Sequence, residues 1–410
     1  MELMPVTQTR EITPAQRLDS LRYAIRDLAC LADDLVRQGK KVLCLNIGDP
    51  NAFDFATPAH IVEAVYRAMR ENKNGYAPSP GVAVAREAIR REAARKRIST
   101  VEDVFVTNGA SEAVDVCLTA LLNPGESVLT PSPEYPLYSA ILAKTGARTN
   151  TYDLNEEDGW QPDLEDMRRK IDSRTRALVL INPNNPTGSI CTRPMLEQIA
   201  ELARRHNLLI LADEIYDKLI LEGGELISIA AVAPDVPVLT LGGLSKNYLA
   251  PGWRIGWVVV SGDRIALKPY LEAAHKLLRA RLSANHPEQY AIPAALEGPQ
   301  DHLGEAIGKL RARRDVTLRA GRSIPGFHCV PPRGAFYAFP RIEIPEPDEV
   351  FVKELLVQKQ ILVVHGSGFG EKPGTKHFRA VFLPPEDTLR EAFAAIADFV
   401  RERYGESDFR

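Results

Sequence analysis

Residues 176–218 read RALVLINPNNPTGSICTRPMLEQIAELARRHNLLILADEIYDK. The stretch opens on an apolar run, Ala177–Ile181, and closes on another, Leu208–Ala212. Between them, Pro194–His206 places its apolar residues at helical spacing, so the whole reads strand, helix, strand. Neither run alternates apolar with polar, which is the pattern of strands buried on both faces. The same texture extends outward. Val104–Val106, Ser127–Leu129, Val238–Leu241 and Trp257–Val260 are further strand candidates, and Ser111–Leu122 is a second amphipathic helix. Strands alternating with helices predict an α/β fold, a mostly parallel sheet covered on both faces.

The last part of the chain changes character. Gly304–Arg322 is a charged, Arg-rich helix, followed by short strand candidates at Ala335–Phe339, Ile361–Val364 and Phe378–Phe382. A closing helix from Glu386 to Arg403 sets Leu389, Phe393, Ile396, Phe399 and Val400 on one stripe. This predicts a smaller α+β unit beside the large sheet. The first ~45 residues read as an N-terminal arm. The expected division is an arm and part of the small domain at 1–49, a large domain at 50–295 and a small C-terminal domain at 296–410.

A chain of 410 residues suits a large domain plus a smaller one. A formal net charge of -3 argues against nucleic acid or an anionic membrane as partner. The cysteines, Cys30, Cys44, Cys117, Cys191 and Cys329, form neither a C-x-x-C pair nor a disulfide framework, and reduced thiols in a cytoplasmic protein are the simple reading. No histidine pattern signals a metal site. The N-terminus lacks the apolar segment of a secretory signal, and no apolar run approaches the ~18 residues of a membrane span.

Several short motifs carry chemistry. Thr107-Asn108-Gly109-Ala110-Ser111-Glu112 follows a strand and opens a helix. Its small residues and free N–H groups suit a phosphate, although a plain turn capped by Ser111 has the same text. Asn182-Pro183-Asn184-Asn185-Pro186-Thr187-Gly188 again lies just past a strand, where ligands of open α/β sheets bind, and is otherwise a rigid turn. Asp213 ends an apolar run, so its carboxylate needs a partner or water; a cap is the alternative. Ser245-Lys246 precedes Gly252-Trp253-Arg254-Ile255-Gly256-Trp257. Most lysines lie on the surface, but burial near cations would lower an amine's pKa and make it a nucleophile.

Taken in order, NGAS, NPNNPTG, ADEIY, LSK and GWRIGW resemble the class I and II aminotransferases, fold type I enzymes that use pyridoxal 5'-phosphate. The resemblance runs from about Tyr23 to the end and is nearest to the bacterial alanine (glutamate–pyruvate) group. Tyr23-Ala24-Ile25-Arg26, Leu45-Asn46-Ile47-Gly48-Asp49-Pro50, Asp213-Glu214-Ile215-Tyr216-Asp217-Lys218, Gly243-Leu244-Ser245-Lys246 and His377-Phe378-Arg379 carry that finer likeness. One departure is Gly243, where many members have a phosphate-binding serine; that contact is expected to be absent.

The resemblance implies roles. Lys246 would hold the cofactor as a Schiff base and then move the α-proton. Asp213 would keep the pyridine nitrogen protonated. Tyr216 and Asn185 would bond the ring's phenolic oxygen, and Tyr135 would stack on the ring. Gly109, Ala110, Ser111 and Ser245 would cradle the phosphate, with Arg254 neutralising it and Tyr76 reaching the phosphate of a neighbouring subunit, so that a homodimer shares its active sites. Arg379 would clamp the substrate α-carboxylate, with the Gly48 backbone assisting. The implied reaction moves an amino group between L-alanine and 2-oxoglutarate. An aspartate or broad-specificity aminotransferase is the alternative, and a pyridoxal-phosphate lyase is the alternative of another class. A pocket serving both alanine and glutamate needs a mobile cation for the distal carboxylate. Arg26 in the N-terminal arm is the first candidate and Arg281 the second.

Overall fold

The computed structural model describes residues 12–19 and 24–405, with backbone alone for 24–27. Its centre is an eight-stranded sheet. In chain order the strands are β1 (Val101–Thr107), β2 (Ser127–Ser132), β3 (Arg148–Asn155), β4 (Gln161–Pro162), β5 (Thr175–Ile181), β6 (Leu209–Asp213), β7 (Val238–Gly243) and β8 (Gly256–Ser261). The spatial order is β1-β8-β7-β6-β5-β2-β3-β4. The pairs from β7 through β6, β5 and β2 to β3 are parallel, while β8 runs antiparallel to both of its neighbours. The fold is α/β with a mostly parallel sheet. Residues on β5 and β6 are buried on both faces, Val179 and Leu211 packing into one core cluster and Leu178 and Ile210 into another, which is why their text is apolar without alternation.

The helices Ala110–Leu121 and Arg193–His206 fall where the periodicity placed them. Strands β3 and β4 were not foreseen. The text of β3, RTNTYDLN, is polar and half exposed because the strand lies near the sheet's edge, so it lacks the apolar signal.

The C-terminal part holds the helices Asp301–Gly321, Asp348–Lys359 and Glu386–Tyr404 over short strands. Phe378–Val381 pairs antiparallel with Val364–His365 on one side and Tyr337–Ala338 on the other. The N-terminal segment joins this part, since Leu43–Cys44 pairs with Ile361–Leu362. Among the described residues, no helix is long and apolar enough to cross a membrane, and no cluster of side chains could hold a metal ion.

Candidate active site

Strand direction gathers the motifs. Strands β1, β5, β6 and β7 deliver Thr107, Ile181, Asp213 and Gly243 to one edge of the sheet, the edge where their carboxyl ends lie. Because β8 is antiparallel, its start lies at that same edge. Gly256 stands in register between Thr107 and Gly243, which brings Arg254 beside the N-terminus of the helix Ala110–Leu121. A side chain at 256 would bring a Cβ 2.5 Å from the Ala110 nitrogen, and one at 109 would collide with the Arg254 guanidinium. Gly109 also holds φ at 79°, a region that favours glycine. At Gly243 a Cβ would lie 2.8 Å from the Ile255 carbonyl oxygen, so the closeness of β7 to β8 excludes a serine there.

The edge opens into a cleft of about 560 Å³. Its walls include Gly48, Ala110, Ser111, Tyr135, Asn185, Asp213, Tyr216, Ser245, Lys246, Arg254 and Arg379, so most of the residues singled out from the sequence meet here. Gly109 sits behind the wall as the N-cap of the helix.

Lys246 Nζ donates to the Gly48 carbonyl at 2.6 Å. Burial pushes its pKa down, Asp49 opposes the shift, and Arg379 and Arg254 add to it, leaving the amine at about 8. Asp213 is buried and accepts from the Tyr138 hydroxyl at 2.9 Å and the Ile215 N–H at 3.3 Å. No cation hydrogen-bonds it among the described residues, and burial raises its pKa despite the Tyr138 bond. A cationic N–H entering the cleft would supply the missing charge.

Arg379 is 2% exposed. It donates to Asn185 Oδ1 at 2.9 Å and to the Asn46 carbonyl at 2.5 Å, and its guanidinium lies 4.6 Å from the ring centre of Tyr337 and 4.7 Å from that of Phe369. Asn185 therefore has its amide oxygen engaged, and only its N–H groups are left to meet a ligand oxygen. The Tyr216 and Tyr337 hydroxyls are 2.8 Å apart. A side chain at Gly48 would collide with the Tyr337 hydroxyl, so that glycine is what admits Tyr337 to the wall.

Sequence reasoning missed Tyr138 and Tyr337. Tyr337 lay inside a run read only as a strand, and Tyr138 lies one helical turn past Tyr135, where it reads as core. Tyr76 is 83% exposed and outside this cleft. Arg281 is not part of the wall: it donates to the Val106 and Ser79 carbonyls at 2.7 and 3.3 Å, which fix it behind β1. Arg26 lies on the helix Ala24–Arg37, but its side chain is outside the described residues.

The aminotransferase class I and II family profile matches residues 40–396. The glutamate-pyruvate aminotransferase AlaA of Haemophilus influenzae is 41% identical over 377 residues, covering 90% of this chain and 93% of that protein. The alanine aminotransferase of Mycobacterium tuberculosis (strain H37Rv) is 40% identical over 405 residues, 95% of this chain and 93% of that protein. Among solved structures, the alanine aminotransferase from Pyrococcus furiosus superposes with a TM-score of 0.92 at 42% identity, covering 95% of this chain and 100% of that one.

Proposed function

This chain belongs to the aminotransferase class I and II family and is a transaminase, and we propose that it exchanges an amino group between L-alanine and 2-oxoglutarate to give pyruvate and L-glutamate. The observation that carries the reading is the meeting of Lys246, Asp213 and Arg379 in one cleft. The choice of alanine is supported by relatives named for that substrate at 40–41% identity over nearly their whole length.

We assign pyridoxal 5'-phosphate as the cofactor, because the donor set fits it. Asp213, a buried carboxylate that no cation hydrogen-bonds among the described residues, suits the ring's N–H. The N-terminus of Ala110–Leu121 with Ser111, Ser245 and Arg254 suits the phosphate. Tyr135 offers its ring, and Tyr216 and Asn185 offer donors to the phenolic oxygen. When bound, the cofactor supplies an electron sink for the pair left on the substrate's α-carbon. Lys246 Nζ, with its pKa lowered to about 8, is the amine that takes the α-proton and returns it. Arg379, already oriented by Asn185 and Asn46, binds the α-carboxylate. Arg26 remains the candidate reader of glutamate's distal carboxylate. Its helix packs against the Val364–His365 strand, which pairs with the strand of Arg379.

The proposal extends to a cytoplasmic homodimer that completes its sites across the interface. Val62, Tyr66 and Met69 form an exposed apolar stripe on the helix Ala59–Arg70, with exposed Tyr76 just beyond it, and a second copy would cover them. The domain division at 49/50 and 295/296 is proposed with it, supported by the pairing of Leu43–Cys44 with Ile361–Leu362.

The test is a single-turnover absorbance change of the cofactor-loaded enzyme with each amino acid in turn. Alanine and glutamate should give the fastest changes. Faster change with aspartate or an aromatic amino acid would overturn the alanine assignment. Release of ammonia and pyruvate from alanine without any keto-acid acceptor would identify a lyase.

A further inference from the structure

His377 is 1% exposed and lies two residues before Arg379. Its ring is stacked on Phe339 at 4.8 Å and 1°, with the edge of Trp160 at 5.5 Å. Each ring nitrogen faces a carboxylate: Nδ1 is 2.5 Å from Glu371 Oε2, and Nε2 is 3.4 Å from Glu156 Oε2. Glu156 also meets Arg341 Nη1 at 3.1 Å and His328 Nε2 at 3.8 Å, and Asp348 acts electrostatically on Glu371. Burial raises the Glu371 carboxyl to about 7, so His377 and Glu371 titrate as a pair, and in its charged form the ring offers an N–H to each carboxylate. Burial alone would lower its pKa, but the bonds to Glu156 and Glu371 outweigh that and raise it.

The pair fastens a loop. Val364–His365 and Phe378–Val381 are antiparallel neighbours, and residues 366–377 connect them. The neck is closed by the Gly366 N–H donating to the His377 carbonyl at 2.8 Å. The Glu371 carboxylate packs directly on that neck, since a Cβ at Gly366 would collide with it. A second fastening is Ser367, whose N–H and hydroxyl both donate to Asp348, at 2.7 and 2.8 Å. Between the two fastenings lies Phe369, whose ring centre is 4.7 Å from the Arg379 guanidinium. The Phe369 carbonyl accepts from the Glu134 N–H at 2.7 Å, and the Gly370 carbonyl accepts from the Ser132 hydroxyl at 2.7 Å. One short segment thus braces Arg379 on one side and the Ser132–Tyr135 segment on the other.

We propose that His377 and Glu371 are positioning residues for substrate binding: their buried contact holds the 366–371 loop so that Phe369 keeps the Arg379 guanidinium in place. The proposal rests on the reading of Arg379 as the α-carboxylate site. Neither residue lines the cleft, so they act through the loop and not on the reacting atoms. A support that slips by an ångström can lower reactivity about 100-fold, and a partial loosening that mainly weakens binding should fall below that.

The experiment compares Glu371→Ala, Glu371→Gln, Phe369→Leu and Arg379→Lys in the cofactor-loaded enzyme. Michaelis constants and kcat for alanine, glutamate, pyruvate and 2-oxoglutarate are measured, with the dissociation constant of succinate by calorimetry as a readout independent of turnover. Glu371→Ala should raise every Michaelis constant and the succinate constant by about tenfold while kcat changes less than about threefold. Glu371→Gln keeps an oxygen acceptor for Nδ1–H and should restore most of the binding. Phe369→Leu leaves the buried pair intact and should reproduce the loss, which keeps the test decisive if Glu371→Ala does not fold. Unchanged binding in folded Glu371→Ala or Phe369→Leu, with Arg379→Lys weakened, overturns the positioning role alone. Unchanged binding in Arg379→Lys overturns the reading of the clamp beneath it.

Discussion

Lys96 and Lys246 lie on opposite sides of the same short segment, Asp213–Lys218, and the two regions are built for opposite ends. Lys96 Nζ is bonded to Glu214 and to Asp217, the latter at 2.8 Å. Asp217 also accepts from Asn247 at 2.6 Å, and Lys218 pairs with Glu92 at 2.6 Å. Burial would lower Lys96's pKa, but the two carboxylates outweigh it and the pKa rises. Lys246 meets no carboxylate at hydrogen-bond distance in the described contacts, and arginines flank it, so burial prevails and its pKa falls to about 8. Two half-hidden lysines near one segment are thus given different chemistry by their partners alone: one is locked as a cation, the other is kept reactive. The segment divides the work between its two faces. Asp213 and Tyr216 line the cleft, while Glu214 and Asp217 join the ion cluster behind it.

The contrast is broken most forcefully at Lys246. If Lys246 holds the cofactor and moves the proton as proposed, Lys246→Ala removes both functions together and should lower turnover by on the order of 10²–10⁴-fold or more. Steady-state rates of the purified variant check this, and wild-type rates would remove Lys246 from the chemistry.

Asp213→Asn comes next. It keeps the shape but gives up the charge that would face a cationic ring nitrogen, an interaction worth about 1.5–3 kcal/mol. The half-reaction with alanine should slow roughly 10- to 100-fold, with substrate affinity changed much less. An unaltered half-reaction rate would show that the buried carboxylate is structural, like those around Lys96.

Lys96→Met tests the other side. Removing the cation strands Glu214 and Asp217, and breaking a buried pair costs about 3–5 kcal/mol, with the lower end expected because the lysine side chain is 18% exposed. Denaturant titration should show that loss while the rate per folded molecule stays within a few-fold. A collapse of rate at undiminished stability would mean that the cluster takes part in the reaction, and the division along 213–218 would fail.

This division was only partly legible in the sequence. The apolar texts of β5 and β6 announced strands buried on both faces, and the small residues of 107–111 after a strand announced a turn suited to a phosphate, because both signals are local; the packing of Gly256 on that turn was not legible. Partners supplied by distant segments were not legible. Nothing in the text near Asp213 names Tyr138, and nothing near Lys96 names Glu214 or Asp217, more than a hundred residues away. Strand β3 was missed because its half-exposed place next to the sheet's edge removes the apolar pattern that marks the central strands. Arg281 fitted the sequence requirement for a cation near the site, but the backbone carbonyls of Ser79 and Val106 claim it.

The smallest effect, a shift along the pH axis, sharpens the contrast between the two lysines without any substitution. An amine reacts with an acylating or arylating reagent only as the free base. At pH 8 about half of Lys246 would be free amine, against roughly 0.3% of an ordinary lysine. Labelling of the cofactor-free chain with trinitrobenzenesulfonate, read peptide by peptide by mass spectrometry, should therefore reach Lys246 first, with a midpoint near pH 8, and Lys96 last. The same shift fixes a sign for stability. With the folded pKa at about 8 and the ordinary value at 10.5, the unfolded chain binds more protons at Lys246 between those limits. The contribution of this residue to stability must therefore rise with pH across that window and stay flat below it, where both states are protonated. Measured against Lys246→Met, the cofactor-free chain should gain relative stability from pH 8 to 10. Labelling of Lys246 only above pH 10, in step with surface lysines, would mean that its amine is an ordinary one and that burial and the nearby arginines do not set its reactivity.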